Sequence, residues 1–149
     1  MNVDDLDLQI LKELRLDCRQ SYRKIAGKLK VATGTVQNRI NKMEKDGIIG
    51  KYHVDISYGK LGYGISAIIG ICVDRQNLDD IQKVFKKNPN VFGMYDVTGE
   101  YDIFISVRFK DMNELNEFIK KDLCNQYISK TVTFLVLRTL KEAHTFLSK

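Results

Sequence analysis

Hydrophobic positions in the first fifty residues recur at helical spacing. Leu6 or Leu8, with Ile10, Leu11 and Leu14, lie on one side of a helix that runs to about residue 16. Asp4 or Asp5 stands before it as an N-cap. A polar connector follows, Asp17-Cys18-Arg19-Gln20. Tyr22, Ile25, Ala26 and Leu29 then fall at i, i+3, i+4 and i+7, the signature of a second, short helix. Ser21 ahead of them can cap it, because a hydroxyl accepts from the free N–H groups of the first turn. The residue three further on is Lys24, which has no acceptor, so the reciprocal capping box is not formed. Lys30-Val31-Ala32 breaks the pattern. A third helix is predicted over about 33–46, with Val36, Ile40 and Met43 inward and Gly47 suited to end it in a left-handed conformation.

The rhythm changes after that point. The segment 48–57, IIGKYHVDIS, alternates enough to predict a strand, a small wing leading out of the helical module. Residues 58–62, YGKLG, are expected to form a hinge. Residues 62–74 are β-rich. Asn77 is expected to cap a helix with Leu78, Ile81, Val84 and Phe85 inward, ending before Asn88-Pro89. Strands are predicted over 91–98 and 101–109, joined by a turn at Gly99-Glu100, and YDIFISVRF is the clearest alternation in the chain. Asp111 caps a helix with Leu115, Phe118, Ile119 and Leu123, and a last strand covers 131–140. The order β-α-β-β-α-β is the split βαβ, or ferredoxin-like, arrangement. Helices cover one face of such a sheet, so its other apolar face is expected to dimerise.

Two short helices joined by a tight turn make the region 21–49 a helix-turn-helix candidate. Its outward face follows from the rotation of about 100° per residue. Opposite Val36, Ile40 and Met43 stand Gly34, Asn38, Asn41 and Lys45, flanked by Lys42 and Thr35 on one side and Gln37 on the other, with Arg39 nearer the core edge. An ordinary solvated face mixes both signs of charge, but this one has no carboxylate. Amides pair with adenine edges and lysines neutralise phosphates, so the face suits duplex DNA. Charge placement agrees. Residues 15–51 hold ten basic side chains against three acidic, a net +7, which leaves −2 for the rest of a chain whose total is +5.

Other classes find little support. At 149 residues the chain holds one ordinary domain or two small ones. No apolar run approaches the ~18 residues that span a membrane, and the acidic N-terminus does not resemble a signal peptide. Cys18, Cys72 and Cys124 are scattered and odd in number, as expected of reduced thiols in a cytoplasmic protein. His53 and His144 have no neighbour at metal-ligand spacing, and the glycines between residues 59 and 70 spell no phosphate loop. No catalytic residue, metal or cofactor is expected.

The runs DDLDLQILKELRLDCR, VQNRINKMEKDGIIGKY and TGEYDIFISV, in this order, resemble the Lrp/AsnC family of transcriptional regulators, the feast/famine regulatory proteins, over nearly the whole chain. The resemblance implies an α+β protein. A winged helix-turn-helix DNA-binding domain would span residues 1–50 and a β hinge 51–61. A ferredoxin-like (RAM-type) oligomerisation and effector-binding domain would cover 62–149. With the outward face, it places DNA contacts at Thr33, Gly34, Thr35, Gln37, Asn38, Arg39, Asn41, Lys42 and Lys45. It implies assembly as a homodimer and, beyond that, a tetramer or octamer. It also implies an effector, commonly an amino acid, near a turn whose Gly99, Tyr101 and Asp102 match the family pattern. A structural use of Tyr101 and Asp102, as a packed ring and a hydrogen-bonded turn carboxylate, is the alternative. Departures from the family pattern are Ala32 where Ser is usual, leaving Thr33 to cap one residue later, Cys18 for Gly and Lys24 for an acid. The rival function is a siroheme decarboxylase-like enzyme of the same two-domain layout. It would need His and Arg groups converging in the second half, which holds His144, Arg75, Arg108 and Arg138.

Overall fold

Asp4 accepts from the Asp7 N–H, and the Asp7 carboxylate accepts from the Asp4 N–H in return, a capping box that starts the first helix, α1 (Asp5–Leu16). The computed structural model describes residues 2–142. They divide into two compact units, one running to Asp55 and a second spanning Ile56–Lys141.

The first unit is helical. Ser21 caps α2 (Tyr22–Leu29), accepting from the Lys24 N–H. Lys30 then turns left-handed at φ 56°, and α3 spans Thr33–Lys45. Thr33 does not cap α3. The cap is Ala32, whose methyl group makes no hydrogen bond, because the turn closes one residue before the first hydroxyl. At the far end Gly47 has φ +73°, the Gly47 N–H donates to the Glu44 carbonyl at 3.1 Å and the Ile48 N–H to the Met43 carbonyl at 2.8 Å. These two bonds satisfy the last carbonyls of the helix in a Schellman ending. Ile10, Leu14, Ile25, Ala26, Val36, Ile40 and Met43 form the core, with Leu6 packed against it and Leu8 exposed.

The expected wing strand is absent: residues 48–57 carry no strand. An alternating pattern yields a strand only where a partner completes the ladder, and among the described residues none pairs with this one. A side-chain bond anchors it instead, with the Tyr52 hydroxyl donating to Glu44 at 2.8 Å. Partial burial and the Glu44 carboxylate push this phenol up to about 12, so it stays protonated and able to donate. The expected hinge is also ordered. Tyr58–Leu61 forms a 3-10 turn closed by Gly62 at φ +88°.

The second unit is β1 (Ile65–Val73), α4 (Leu78–Lys87), β2 (Val91–Asp96), β3 (Ile103–Phe109), α5 (Met112–Lys121) and β4 (Ile128–Leu135). The sheet order is β2-β3-β1-β4, all antiparallel, as a split βαβ fold requires. Several boundaries differ from the expectation. A 3-10 turn over Arg75–Asn77, with Asp74 capping it, precedes α4, so Asn77 makes no capping bond. Val84 faces outward. The strand β2 ends at Asp96, β3 begins at Ile103, and β4 starts and stops earlier than predicted. The predicted end of that last strand is irregular, and residues 143–149 lie outside the description.

Alternation sorts the sheet into two faces. Ala67, Ile69, Ile71 and Val73 of β1, with Ile103, Ile105, Val107 and Phe109 of β3, pack against Ile81 and Phe85 of α4 and Leu115 and Phe118 of α5. The opposite face carries Ile68, Phe104 and Phe134, and Tyr95 stands exposed beside them. Gly70 lies in the middle of that face, paired with Phe104 on one side and Val132 on the other. The Tyr101 ring covers it, and a Cβ at this position would meet Tyr101 Cδ1 at 2.9 Å and Cγ at 3.0 Å. Gly70 is therefore small because a ring lies on it. Gly70→Ala should destabilise the chain by about 1–3 kcal/mol through overpacking. In a thermal-unfolding cycle the loss should shrink when Tyr101 is already Ala. Melting of Gly70→Ala at the wild-type temperature would show that the ring swings aside freely.

Candidate nucleic-acid interface and effector turn

The helix α3 presents a sharply divided surface. Val36, Ile40 and Met43 are wholly buried. Gly34, Gln37, Asn38, Asn41, Lys42 and Lys45 are exposed, as is Thr33, while Thr35 is half-buried. Among the described residues, no hydrogen bond or ion pair involves the side chains of Gln37, Asn38, Asn41, Lys42 or Lys45. Eight of the nine residues expected to contact DNA therefore lie on one surface of one helix.

The N-terminus of that helix is open as well. With Ala32 as cap, only the Thr35 and Val36 N–H groups find an acceptor, the Ala32 carbonyl. The Thr33 and Gly34 N–H groups have none among the described residues. A Cβ at Gly34 would meet nothing within 4 Å, and no positive φ requires glycine there. Packing therefore does not explain Gly34, which weakens the first turn by about 1 kcal/mol relative to Ala. A bare backbone does permit close approach by a phosphate.

Arg39, the ninth residue, is also bonded within the first unit. Its Nη1 donates to Asp4 and, at 3.1 Å, to Oδ1 of Asp7. The Arg39 hydrogen bond holds the Asp4 carboxyl below its usual range, and the same contact raises the guanidinium. The Asp7 side chain is 0% exposed and that of Arg39 32%. Periodicity had placed Arg39 at the core edge, but two carboxylates over thirty residues earlier in the chain gave no local signal of the pairing.

The turn expected to meet an effector lies between β2 and β3. Gly99 has φ +125°, a conformation that favours glycine, and a Cβ there would meet open space. Tyr101 packs edge-on against Phe104, with ring centres 5.3 Å apart. Beyond the last β1–β3 pair, Ile71 with Ile103, the Asp102 N–H donates to the Ile71 carbonyl. Asp102 Oδ2 accepts from the Val73 N–H at 2.8 Å, where β1 shifts register against β4. Asp102 thus extends the β1–β3 ladder past its last backbone pair. Sequence reasoning missed one neighbour, which makes two contacts. Lys130 of β4 pairs with Glu100 at 2.5 Å and its ammonium lies 5.4 Å from the centre of the Tyr101 ring. A long separation in sequence conceals both contacts.

Of the groups the rival enzyme would need, two arginines are placed elsewhere. Arg108 lies 4.2 Å from the ring centres of both Tyr58 and Phe92, Arg138 is exposed and His144 lies outside the described residues. Among the described residues no cluster of His, Cys, Asp and Glu could hold a metal ion, and no helix is long and apolar enough to cross a membrane.

Lys42 should behave as a phosphate ligand. Lys42→Ala is expected to weaken binding to all duplexes alike and to make the slope of log K against log salt shallower by about one unit. An unchanged slope would remove Lys42 from the interface.

Known proteins match both units. Residues 3–49 match the family profile described as winged helix-turn-helix DNA-binding, and residues 66–146 that of the Lrp/AsnC ligand binding domain. An HTH-type transcriptional regulator of Pyrococcus furiosus is 43% identical over 95% of this chain and 96% of its own length. Another, of Methanocaldococcus jannaschii, is 30% identical over 94% and 95%. The solved structure of AsnC from E. coli superimposes with a TM-score of 0.90 at 27% identity, covering 97% of this chain and 99% of that one. A transcriptional regulator of Neisseria meningitidis solved as an L-Met complex shares the fold, with a TM-score of 0.93 at 21% identity and 98% and 97% coverage. The profile matches to both units, and the Pyrococcus regulator matched along nearly all of the chain, on a three-helix unit followed by a βαββαβ sheet, establish that this protein belongs to the Lrp/AsnC family of helix-turn-helix transcriptional regulators.

Proposed function

We propose that the protein reads specific duplex DNA with α3 as a homo-oligomer, and that a small effector bound in its second unit adjusts this activity. The observation that carries the reading is the surface of α3, where amides and lysines stand exposed with no partner among the described residues. Asn38, Asn41 and Gln37 supply donors and acceptors matched to base edges, with Thr35 beside them. Lys42, Lys45 and the open N-terminus at Thr33 and Gly34 supply phosphate contacts that fix the helix in the groove. The reading needs no catalytic group, and it places the protein in the cytoplasm with the DNA. The domain limits proposed are residues 1–50, a linker over 51–61, and 62–149.

Assembly follows from the bare sheet face. Burying an apolar side chain contributes about 1.5–3 kcal/mol, and association costs about 4–15 kcal/mol. Ile68, Phe104, Phe134 and Tyr95 repay that cost only against a complementary apolar surface, which a second copy of the same face provides. A dimer of this kind presents two recognition helices. It therefore calls for a pseudo-palindromic site with half-sites about one helical turn apart, or a multiple of one, and dimers associate further into a tetramer or octamer.

The effector proposed is an amino acid, the class bound by the Neisseria regulator. The open backbone at Gly99 suits its carboxylate, and the Tyr101 ring forms a wall. Asp102 keeps one oxygen with no bond among the described residues, which leaves an acceptor for the ammonium.

Asn38→Ala should cost roughly 1–3 kcal/mol on duplexes selected from random DNA and much less on unselected ones. Equal losses on both would show that Asn38 reads no base. Sedimentation of the full chain should show a dimer or larger at micromolar concentration, with the distribution shifting when the right free amino acid is added. A monomer would defeat the sheet-face assembly, and no shift with any of the twenty would defeat the effector reading.

A further inference from the structure

Asp7 is an unusual residue for a small helical unit. A carboxylate with no exposed surface is retained only where its charge is matched and its oxygens are bonded. Here Oδ2 accepts from the Asp4 N–H at 3.1 Å and Oδ1 from Arg39 at 3.1 Å. One nitrogen, Nη1 of Arg39, also reaches the Asp4 carboxylate. The capping box at the start of α1 is thus continued by a side chain from the middle of α3. Arg39 follows Asn38 directly and precedes Asn41 by two residues, so whatever fixes Arg39 fixes the direction in which those amides point.

We infer that Arg39 is a positioning residue: its contact with Asp7 and Asp4 sets the rotation of α3 about its own axis and so aims the base-reading amides, and it does not act as a DNA ligand. The inference rests on the DNA-reading function proposed above. Apolar packing of Val36, Ile40 and Met43 brings α3 to the core but is non-directional. The guanidinium–carboxylate contact is directional, and it sits beside the readers.

The two roles for Arg39 predict opposite signs for a change at Asp7. Removing an acid from a DNA-binding unit strengthens binding to every duplex if charge alone matters. Loss of the strut weakens recognition. The test compares wild type, Asp7→Asn, Arg39→Gln and the double variant. Two duplexes of equal length are used, one recovered by selection from a random pool and one unselected, over a range of salt. Circular dichroism checks that each chain is folded. The strut predicts that Asp7→Asn and Arg39→Gln each lower the preference for the selected duplex by about tenfold or more. It also predicts an unchanged salt slope and a double variant no worse than the poorer single one. Should Asp7→Asn not fold, Asp4→Asn, which leaves the buried carboxylate in place, should show a smaller loss of the same kind. The inference is overturned if Arg39→Gln makes the slope shallower by about one unit. Equal or tighter binding of the selected duplex by the Asp variant also overturns it. A wild-type chain with no preference between the duplexes overturns the DNA reading itself, which failure of the strut alone leaves intact.

Discussion

The rotation of one helix decides which side chains the first unit presents. The helix α3 has a polar surface only because Val36, Ile40 and Met43 turn inward together, and each is fully buried. Their spacing holds the outward set to Gly34, Gln37, Asn38, Asn41, Lys42 and Lys45. Apolar burial tolerates some twist, because it rewards area rather than direction. The Arg39–Asp7 contact is less tolerant, since turning the helix would strand a carboxylate that has no access to water. The first unit therefore combines non-directional apolar packing with a directional ion pair.

The second unit depends on a different constraint. A four-stranded sheet with both helices on one side has a second face of its own, and here that face carries Ile68, Phe104 and Phe134 among polar neighbours. The turn that the family resemblance marks for effectors meets the same sheet. Tyr101 lies over Gly70, and Asp102 holds the Val73 N–H beyond the last β1–β3 pair. The residues proposed to meet a ligand thus also bear structural load, so a ligand pressing on them acts directly on the backbone of β1 and β3. Coupling between effector and assembly requires only that the two states of this sheet differ in affinity for the ligand.

Residues 48–57 show the limit of reading strands from alternation. Tyr52, Val54 and Ile56 alternate and are all exposed. A helix satisfies its own backbone, so a helical pattern suffices to predict one. A strand borrows its hydrogen bonds from a neighbour, and the pattern alone names none.

The periodicity of apolar residues determined the helices of the first unit, the βαββαβ order of the second, the caps at Ser21 and Asp111 and the polar surface of α3. All of these are short-range consequences of 3.6-residue and two-residue repeats. The sheet order, the register shift at Val73, the ring over Gly70, the Lys130–Glu100 pair and the Arg39–Asp7 pair appeared only with the tertiary structure. The physical reason is the same for each. A side chain's chemistry is written in its identity, but whether it is free to meet a partner outside the chain depends on what the fold has already set against it. Asp4 and Asp7 stand more than thirty residues from Arg39 and within bonding distance of it. No local pattern encodes that proximity, because it is produced by two helices packing on a shared apolar core.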